Sequence, residues 1–387
     1  MRRGWIVVFL IASATLLEAE KQKARSVDQL CALVESESAA HAKDSSVADQ
    51  LRKTALTERL SPWQAEALEA KYRLGAKTIK ELDLLVAESA FLALPVSAQP
   101  QAPVPAQSVL QALWNNAIHV EAHTLEHLPN FLASRETHVY SNMPQSAAPI
   151  FQMHAERVFS YEITYRNGAE APIEERGKRP KEELQGLVTT GEFGPMLKNV
   201  LLDLPGGQLR WSHWEQMPAG PAVVLQYEVP RAHSHFSMRL SCCATHTVYD
   251  QYLKEISYAQ TPGYHGEIAI DPATGSVLRL TVIPEFAAQD LIESAGIAID
   301  YDWRTIGDKR HLCPVHSVAH FTIAAEKILL SATSNSGNLA LVGMRQRQLE
   351  DAQQQLGGVH LQWINSVEFR NYHHFESSFR LLPADGQ

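Results

Sequence analysis

The chain has four cysteines and seventeen histidines, and several of them are spaced for chemistry. His119, His123 and His127 recur every fourth residue in IHVEAHTLEHL, so on a helix they form one stripe. Neighbouring pairs suit a metal ion, but the outer two lie ~12 Å apart at a rise of about 1.5 Å per residue, too far to share one. No glutamate completes an H-E-x-x-H zinc motif. Two Cys-x-x-His runs, Cys243-Ala244-Thr245-His246 and Cys313-Pro314-Val315-His316, together hold the ligand types of a Cys₂His₂ zinc site. On a strand, however, residues three apart point to opposite faces, which opposes joint ligation.

Carboxylates give a second kind of candidate. Asp300 and Asp302 share a strand face, as do Glu267 and Asp271. Such pairs suit acid–base work, although on the polar face of a sheet they are usually just solvated. His233-Ser234-His235 places serine beside histidine only along the chain, whereas a base must meet its nucleophile in space. There is no G-x-S-x-G elbow, no G-x-G-x-x-G and no Walker loop, so no catalytic residue and no cofactor is assigned from motifs.

The elements that must position these residues fall into distinct stretches. Residues 26–93 are rich in Ala, Leu, Glu and Lys and read as three or four short helices. Ser61-Pro62-Trp63-Gln64-Ala65-Glu66 is a helix start, with serine as cap and proline at the first helical position. Residues 94–106 hold Pro95, Pro100, Pro103 and Pro105 and read as an extended linker. Residues 107–383 form a helix-led antiparallel β domain. It opens with a helix over 107–127, and a period of two begins at Phe131. VFSYEITY (158–165), AVVLQYEV (222–229), HFSMRLSC (235–242), GIAIDYDW (296–303), HFTI (320–323) and VEFRNYHHFESSFRLL (367–382) read as strands. In GYHGEIAIDPATGSVLRLTV (263–282), two alternating runs flank the turn Asp271-Pro272-Ala273-Thr274-Gly275, a hairpin. A short helix over about 194–202 interrupts the strands.

The sequence therefore predicts an α+β fold: a large curved antiparallel sheet, an incomplete β-barrel with covering helices, plus a small N-terminal helical segment. Alternation puts Tyr161, Ile163, Tyr227, Ile268, Ile270, Leu278, Leu280, Ile299 and Tyr301 on apolar strand faces. They line a ligand cavity if one exists, with Met196, Leu197 and Val200 of the short helix as its lid; the alternative is a packed core.

Charge and the N-terminus bound the function further. The formal charge of −9 and the lack of a long basic run give no case for nucleic acid. Met1-Arg2-Arg3 followed by the apolar run Trp5–Leu17 reads as a secretory signal over residues 1–19, with an uncleaved anchor as its rival. A periplasmic or secreted location follows, and the chain is not an integral membrane protein unless that segment stays uncleaved. The sequence sets no oligomeric state. Export makes the cysteines disulfide candidates. Cys242 shares a phase with Phe236, Met238 and Leu240, and Cys313 with Val315, Ala319, Phe321 and Ile323, so a Cys242–Cys313 bridge is expected, with Cys243–Cys313 as its alternative and Cys31 left free or paired elsewhere.

Several stretches carry a resemblance. LPNFLASRETHVY, TTGEFGPMLKNVL, LRWSHWEQM, YEVPRAHSHFSM, IGDKRHLCPVHSVA and TALTERLSPWQAEALEA resemble a large group of secreted bacterial proteins without an established activity. More loosely, a helix leading into a strand at Asn130-Phe131, then a meander with the Asp-Pro-x-Thr-Gly hairpin before Arg279, resembles the periplasmic Lol-type lipoprotein carriers and the related sensor of sigma-factor signalling. That resemblance implies an open β-barrel whose helix-covered concave face holds a lipid or the acyl chains of a partner protein. The long helical segment and the linker depart from it. Three functions thus compete. A carrier predicts an apolar face partly open to solvent. A scaffold predicts a filled core and an exposed apolar patch elsewhere. A hydrolase without a recognisable signature predicts a cleft with converging, perturbed titratable groups.

Overall fold

The computed structural model describes residues 22–143, 152–172, 191–242, 256–288, 290–325 and 358–374. The signal segment, Cys243 and His246 of the first Cys-x-x-His run, and the expected strand beyond His374 lie outside these residues.

The N-terminal segment folds as four helices: α1 (Val27–Ala39), α2 (Asp44–Arg52), α3 (Pro62–Tyr72) and α4 (Ala76–Ser89). Their starts are written locally. Ser26 with Gln29 and Ser61 with Gln64 form capping boxes, and Pro62 opens α3. Gly75 has no side chain to cap α4, so Asp44 does it from α2, accepting from the backbone N–H groups of Lys77 and Thr78, both at 3.0 Å. A Cβ on Gly75 would sit 2.4 Å from the Asp44 carboxyl carbon, so the glycine is what lets the two meet. Leu30, Leu51, Leu60, Leu82 and Leu85 form the core of this bundle. Two three-residue strands, β1 (Lys23–Arg25) and β2 (Thr54–Leu56), pair in parallel and brace it. They were not legible in a helix-rich composition.

The linker runs across the molecule with only a 3₁₀ turn at Val96–Ala98, and Trp214 Nε1 donates to Pro103 O at 3.0 Å. Helix α5 (Gln107–His127) follows, with the bounds its periodicity predicts, and α6 (Pro195–Asp203) is the expected short helix.

The strands are β3 (Phe131–Ser141), β4 (His154–Arg166), β5 (Ala169–Pro172), β6 (Gln208–Met217), β7 (Gly220–Val229), β8 (Met238–Cys242), β9 (Ile256–Gln260), β10 (Tyr264–Ile270), β11 (Val277–Pro284), β12 (Ile292–Ile306), β13 (Lys309–Ala324) and β14 (His360–His374). Ten of them form one curved, unclosed sheet in the order β5-β4-β3-β14-β13-β12-β11-β10-β7-β6. All of its ladders are antiparallel. This is not a simple meander. The last strand, β14, slots between β13 and β3, and the two edges, β5 and β6, are consecutive in the chain. β8 and β9 form a separate pair, so the expected strand 235–242 begins only at Met238 and stays outside the main sheet. β6 escaped the alternation rule because its ladder slips between Trp211 and His213, a bulge that resets the phase.

The hairpin at 263–282 forms as β10 and β11. Its turn also docks α5. Asn116 Nδ2 donates to Thr274 O at 3.3 Å, and Gly275 takes φ +82° against that side chain. One turn further on, Glu121 accepts from Val277 N at 2.9 Å.

The expected Cys242–Cys313 disulfide is not formed: Cys313 is a free, buried thiol. It sits among Phe131, Tyr165, Phe193 and Phe369, whereas β8, which carries Cys242, belongs to the separate β8–β9 pair. Inward phase on two strands does not bring them together when they belong to different sheets. Burial drives the Cys313 thiol up to about 12, so it stays protonated and unreactive.

Candidate functional site

Both faces of the sheet are covered, and they differ. One face carries Tyr227, Ile268, Ile270, Leu280 and Ile299, each essentially inaccessible; Leu278 and Tyr301 belong to the same cluster and also line the cavity described below. Met196, Leu197 and Val200 of α6 and Leu110, Leu113 and Ala117 of α5 join the same packed cluster. The expected lid is therefore seated on the expected lining, and side chains occupy the space between. Ile163 is buried elsewhere, in the cluster around Phe131 and Phe193, with Tyr161 packed against it.

The opposite face meets the N-terminal helices. Leu84, Ala87 and Ala90 of the α4 region pack on Tyr140, Val318 and Ile364. Beside this contact lie buried charges. Arg279 Nη1 donates to Asp300 Oδ1 at 2.6 Å, and Arg279 Nη2 to Ala90 O, at the C-terminal end of α4, at 3.0 Å. Arg59 pairs with Glu215 at 2.5 Å. All four side chains are at most 8% exposed. Burial makes such pairs costly to form and costlier to break, so they fix where the helices sit on the sheet.

At this junction opens a cavity of about 380 Å³. The helices contribute Trp63, Glu66, Glu69, Leu82, Asp83 and Val86; the sheet contributes His138, Tyr140, Asp300, Asp302, Arg304, His316, Ser366, Glu368 and Arg370. The volume lies within the range of about 300–1,000 Å³ usual for small-molecule sites. Asp302 pairs with Arg304, and Glu368 with Arg370. Asp83 has no such cation. Burial, reinforced by Glu368, pushes its carboxyl up to about 6. For Asp300 burial acts in the same direction, but the Arg279 guanidinium and His316 outweigh it and hold the carboxyl near 2.

Three strands align a hydrogen-bonded chain along the cavity floor. The register sets Asp300 of β12 opposite His316 of β13, and Val318 opposite Ser366 of β14. His316 Nδ1 lies 3.4 Å from Asp300 Oδ2, and His316 Nε2 lies 3.1 Å from Ser366 Oγ. A charged Asp300 selects the tautomer with its proton on Nδ1, which leaves Nε2 to accept from the serine.

Asp300 was expected to be solvated alongside Asp302. Instead it is buried and paired, because both faces of the sheet are covered here. His316 was noted only as a zinc ligand; among the described residues no group of three His, Cys, Asp or Glu is placed to hold a metal. His123 and His127 stack at 4.1 Å between ring centroids, on the outside of α5. Asp83, His138, Ser366 and Glu368 carried no sequence signal. One signal was available: Arg279 and Asp300 interrupt near-continuous apolar strands, where a charge must find a buried partner.

Fold and site together define an α+β protein with an open ten-stranded sheet and a polar cavity where its helical segment docks. No protein-family model, no curated protein and no solved structure matches the chain, so the functional reading rests on the cavity and the fold. Among the described residues, no helix is long and apolar enough to cross a membrane.

Proposed function

We propose that this is an exported binding protein that holds an amphiphilic small molecule, of the lipid or acyl-ester class, in the cavity between its helical segment and the sheet. The observation that carries this reading is the mixed lining of that cavity. Trp63, Ile79, Leu82, Val86, Leu278 and Phe369 offer apolar surface for a chain or ring, and charged and polar side chains line the wall beside them. Arg304 and Arg370 are already neutralised by Asp302 and Glu368, so Glu66, Glu69 and Asp83 leave the lining acidic. A neutral or cationic head group suits it better than an anionic one. Export is supported by the basic start and apolar run at residues 1–17.

The site thus differs from the one alternation suggests. Seating acyl chains on the other face requires α5 and α6 to lift from a filled core, exposing residues such as Ile268 and Ile270. Native mass spectrometry of protein purified from producing cells, before and after solvent extraction, tests the proposal. The expected result is a discrete extra mass that extraction removes. An Ile79→Trp variant, at a half-buried position of the cavity wall, should lack it while keeping its circular dichroism spectrum. A bare mass with no uptake of added lysophospholipid overturns the proposal and favours a scaffold. Loss of the ligand in Met196→Asp but not in Ile79→Trp moves the site to the α6 side.

A further inference from the structure

The chain Ser366–His316–Asp300 is used by nothing in the binding reading, yet it has the parts of a nucleophilic relay. Its members come from three strands: Asp300 and His316 face each other across the β12–β13 hairpin, and Ser366 is brought to them on β14. All three line the cavity, and Ser366 and Asp300 are over nine-tenths buried. Arg279 holds the far oxygen of Asp300, which fixes the carboxylate while leaving Oδ2 toward His316. β14 is paired on both sides, to β13 and β3, so its backbone N–H groups are committed to ladders. Donors for a developing oxyanion must therefore be side chains. The nearest by register is His138, directly opposite Ser366 across the β3–β14 ladder, although its Nε2 is engaged by Glu136 Oε1 at 2.8 Å.

We propose that Ser366 is an acyl-accepting nucleophile with His316 as its base and Asp300 as a positioning residue, acting on neutral carboxylic esters bound in the cavity. Ser366 Oγ attacks the ester carbonyl carbon as its proton passes to His316 Nε2. The carbon–oxygen bond to the alcohol breaks, and the departing oxygen takes that proton. A water molecule, deprotonated by His316, then attacks the acyl-serine; the carboxylic acid leaves and Ser366 recovers its proton. Asp300 stays ionised throughout, consistent with the low pKa that Arg279 imposes. The inference rests on the cavity being the ligand site.

The experiment treats the full chain with a fluorophosphonate probe and, separately, with p-nitrophenyl butyrate. The expected result is one probe mass on the intact protein, mapped to Ser366, and ester hydrolysis that Ser366→Ala abolishes. His316→Gln should lower hydrolysis by roughly 10²–10⁴-fold, the usual contribution of a general base. Both variants must keep the wild-type circular dichroism spectrum; if Ser366→Ala misfolds, Ser366→Cys with iodoacetamide labelling replaces it. No label, a label on another residue, or hydrolysis unchanged in Ser366→Ala overturns the inference. A ligand mass lost in Ile79→Trp together with an unlabelled Ser366 overturns the relay and leaves the binding reading intact. A labelled Ser366 in a protein that never retains ligand overturns the binding reading alone.

Discussion

The two faces of the sheet are both dry, but they are held in different ways. Under α5 and α6, Tyr227, Ile268, Ile270, Leu280 and Ile299 interlock with helix side chains and leave no need for a partner of fixed geometry. Under α4, contact is carried by fewer apolar groups and by Arg59–Glu215 and Arg279–Asp300. Apolar packing tolerates repacking and tends to close space. Buried ion pairs hold two elements at set distances, and here a cavity persists beside them. The comparison assigns stability mainly to one face and a site to the other.

The largest effect should come from breaking the charged face. Arg279→Met leaves Asp300 buried without its cation and is expected to cost about 3–5 kcal/mol in chemical denaturation. The double variant Arg279→Met with Asp300→Leu should recover most of that. If it does not, the pair contributes more than mutual neutralisation. On the apolar face, Ile270→Ala should cost about 2–5 kcal/mol through lost burial and the void left behind, with ligand retention unaffected at temperatures where the fold persists. Loss of ligand without loss of fold would erase the distinction between the faces.

A smaller effect follows from pH. Burial raises Asp83 to about 6, and Glu88 and Glu121 to about 7, above their unfolded values of 3.8 and 4.5. A carboxyl whose folded pKa is raised holds its proton longer in the native state. Its contribution is therefore complete below about pH 4 and is lost as pH rises to about 7. Asp300 runs the other way, with a contribution present above its unfolded value of 3.8 and lost as pH falls toward 2. These carboxyls should therefore make stability fall between about pH 4 and pH 7 in denaturation curves, partly opposed by His320, which burial lowers to about 4 and whose contribution grows as pH rises toward 6.5. Glu121→Gln, which still accepts from Val277 N, should flatten that slope. The smallest effect is expected from Tyr227→Phe, which deletes a buried hydroxyl donating to Thr281 O at 2.5 Å and should cost about 1 kcal/mol by thermal melt.

Local rules recovered local features. The capping residue Ser61, the limits of α5 and the hairpin at Asp271–Gly275 were legible because each depends on neighbours a few residues away. Strand order was not, because β14 pairing with β3 is decided by closure of the whole sheet. The site fared worst. Alternation marks a face as apolar but is silent on which face a helix fills and which it leaves open. Ser366 lies 50 residues from His316 and meets it and Asp300 only through the register of β14. Disulfide phase failed for the same reason, since Cys313 and Cys242 belong to different sheets.

The position of β14 also sets the timetable of folding. Its residues 360–374 pair with β3 at residues 131–141, and the Asn142–His360 contact spans 218 residues. Loop closure of that length must be met before the contact rewards it, which makes assembly slow. Until β14 emerges, β3 and β13 each present an unpaired edge, and the chain has no finished sheet to fold onto. The two halves of the sheet, β5-β4-β3 and β13 through β6, stay unjoined until β14 enters between them. Ser366 rides on that joining strand, so the cavity floor is completed only when the halves meet.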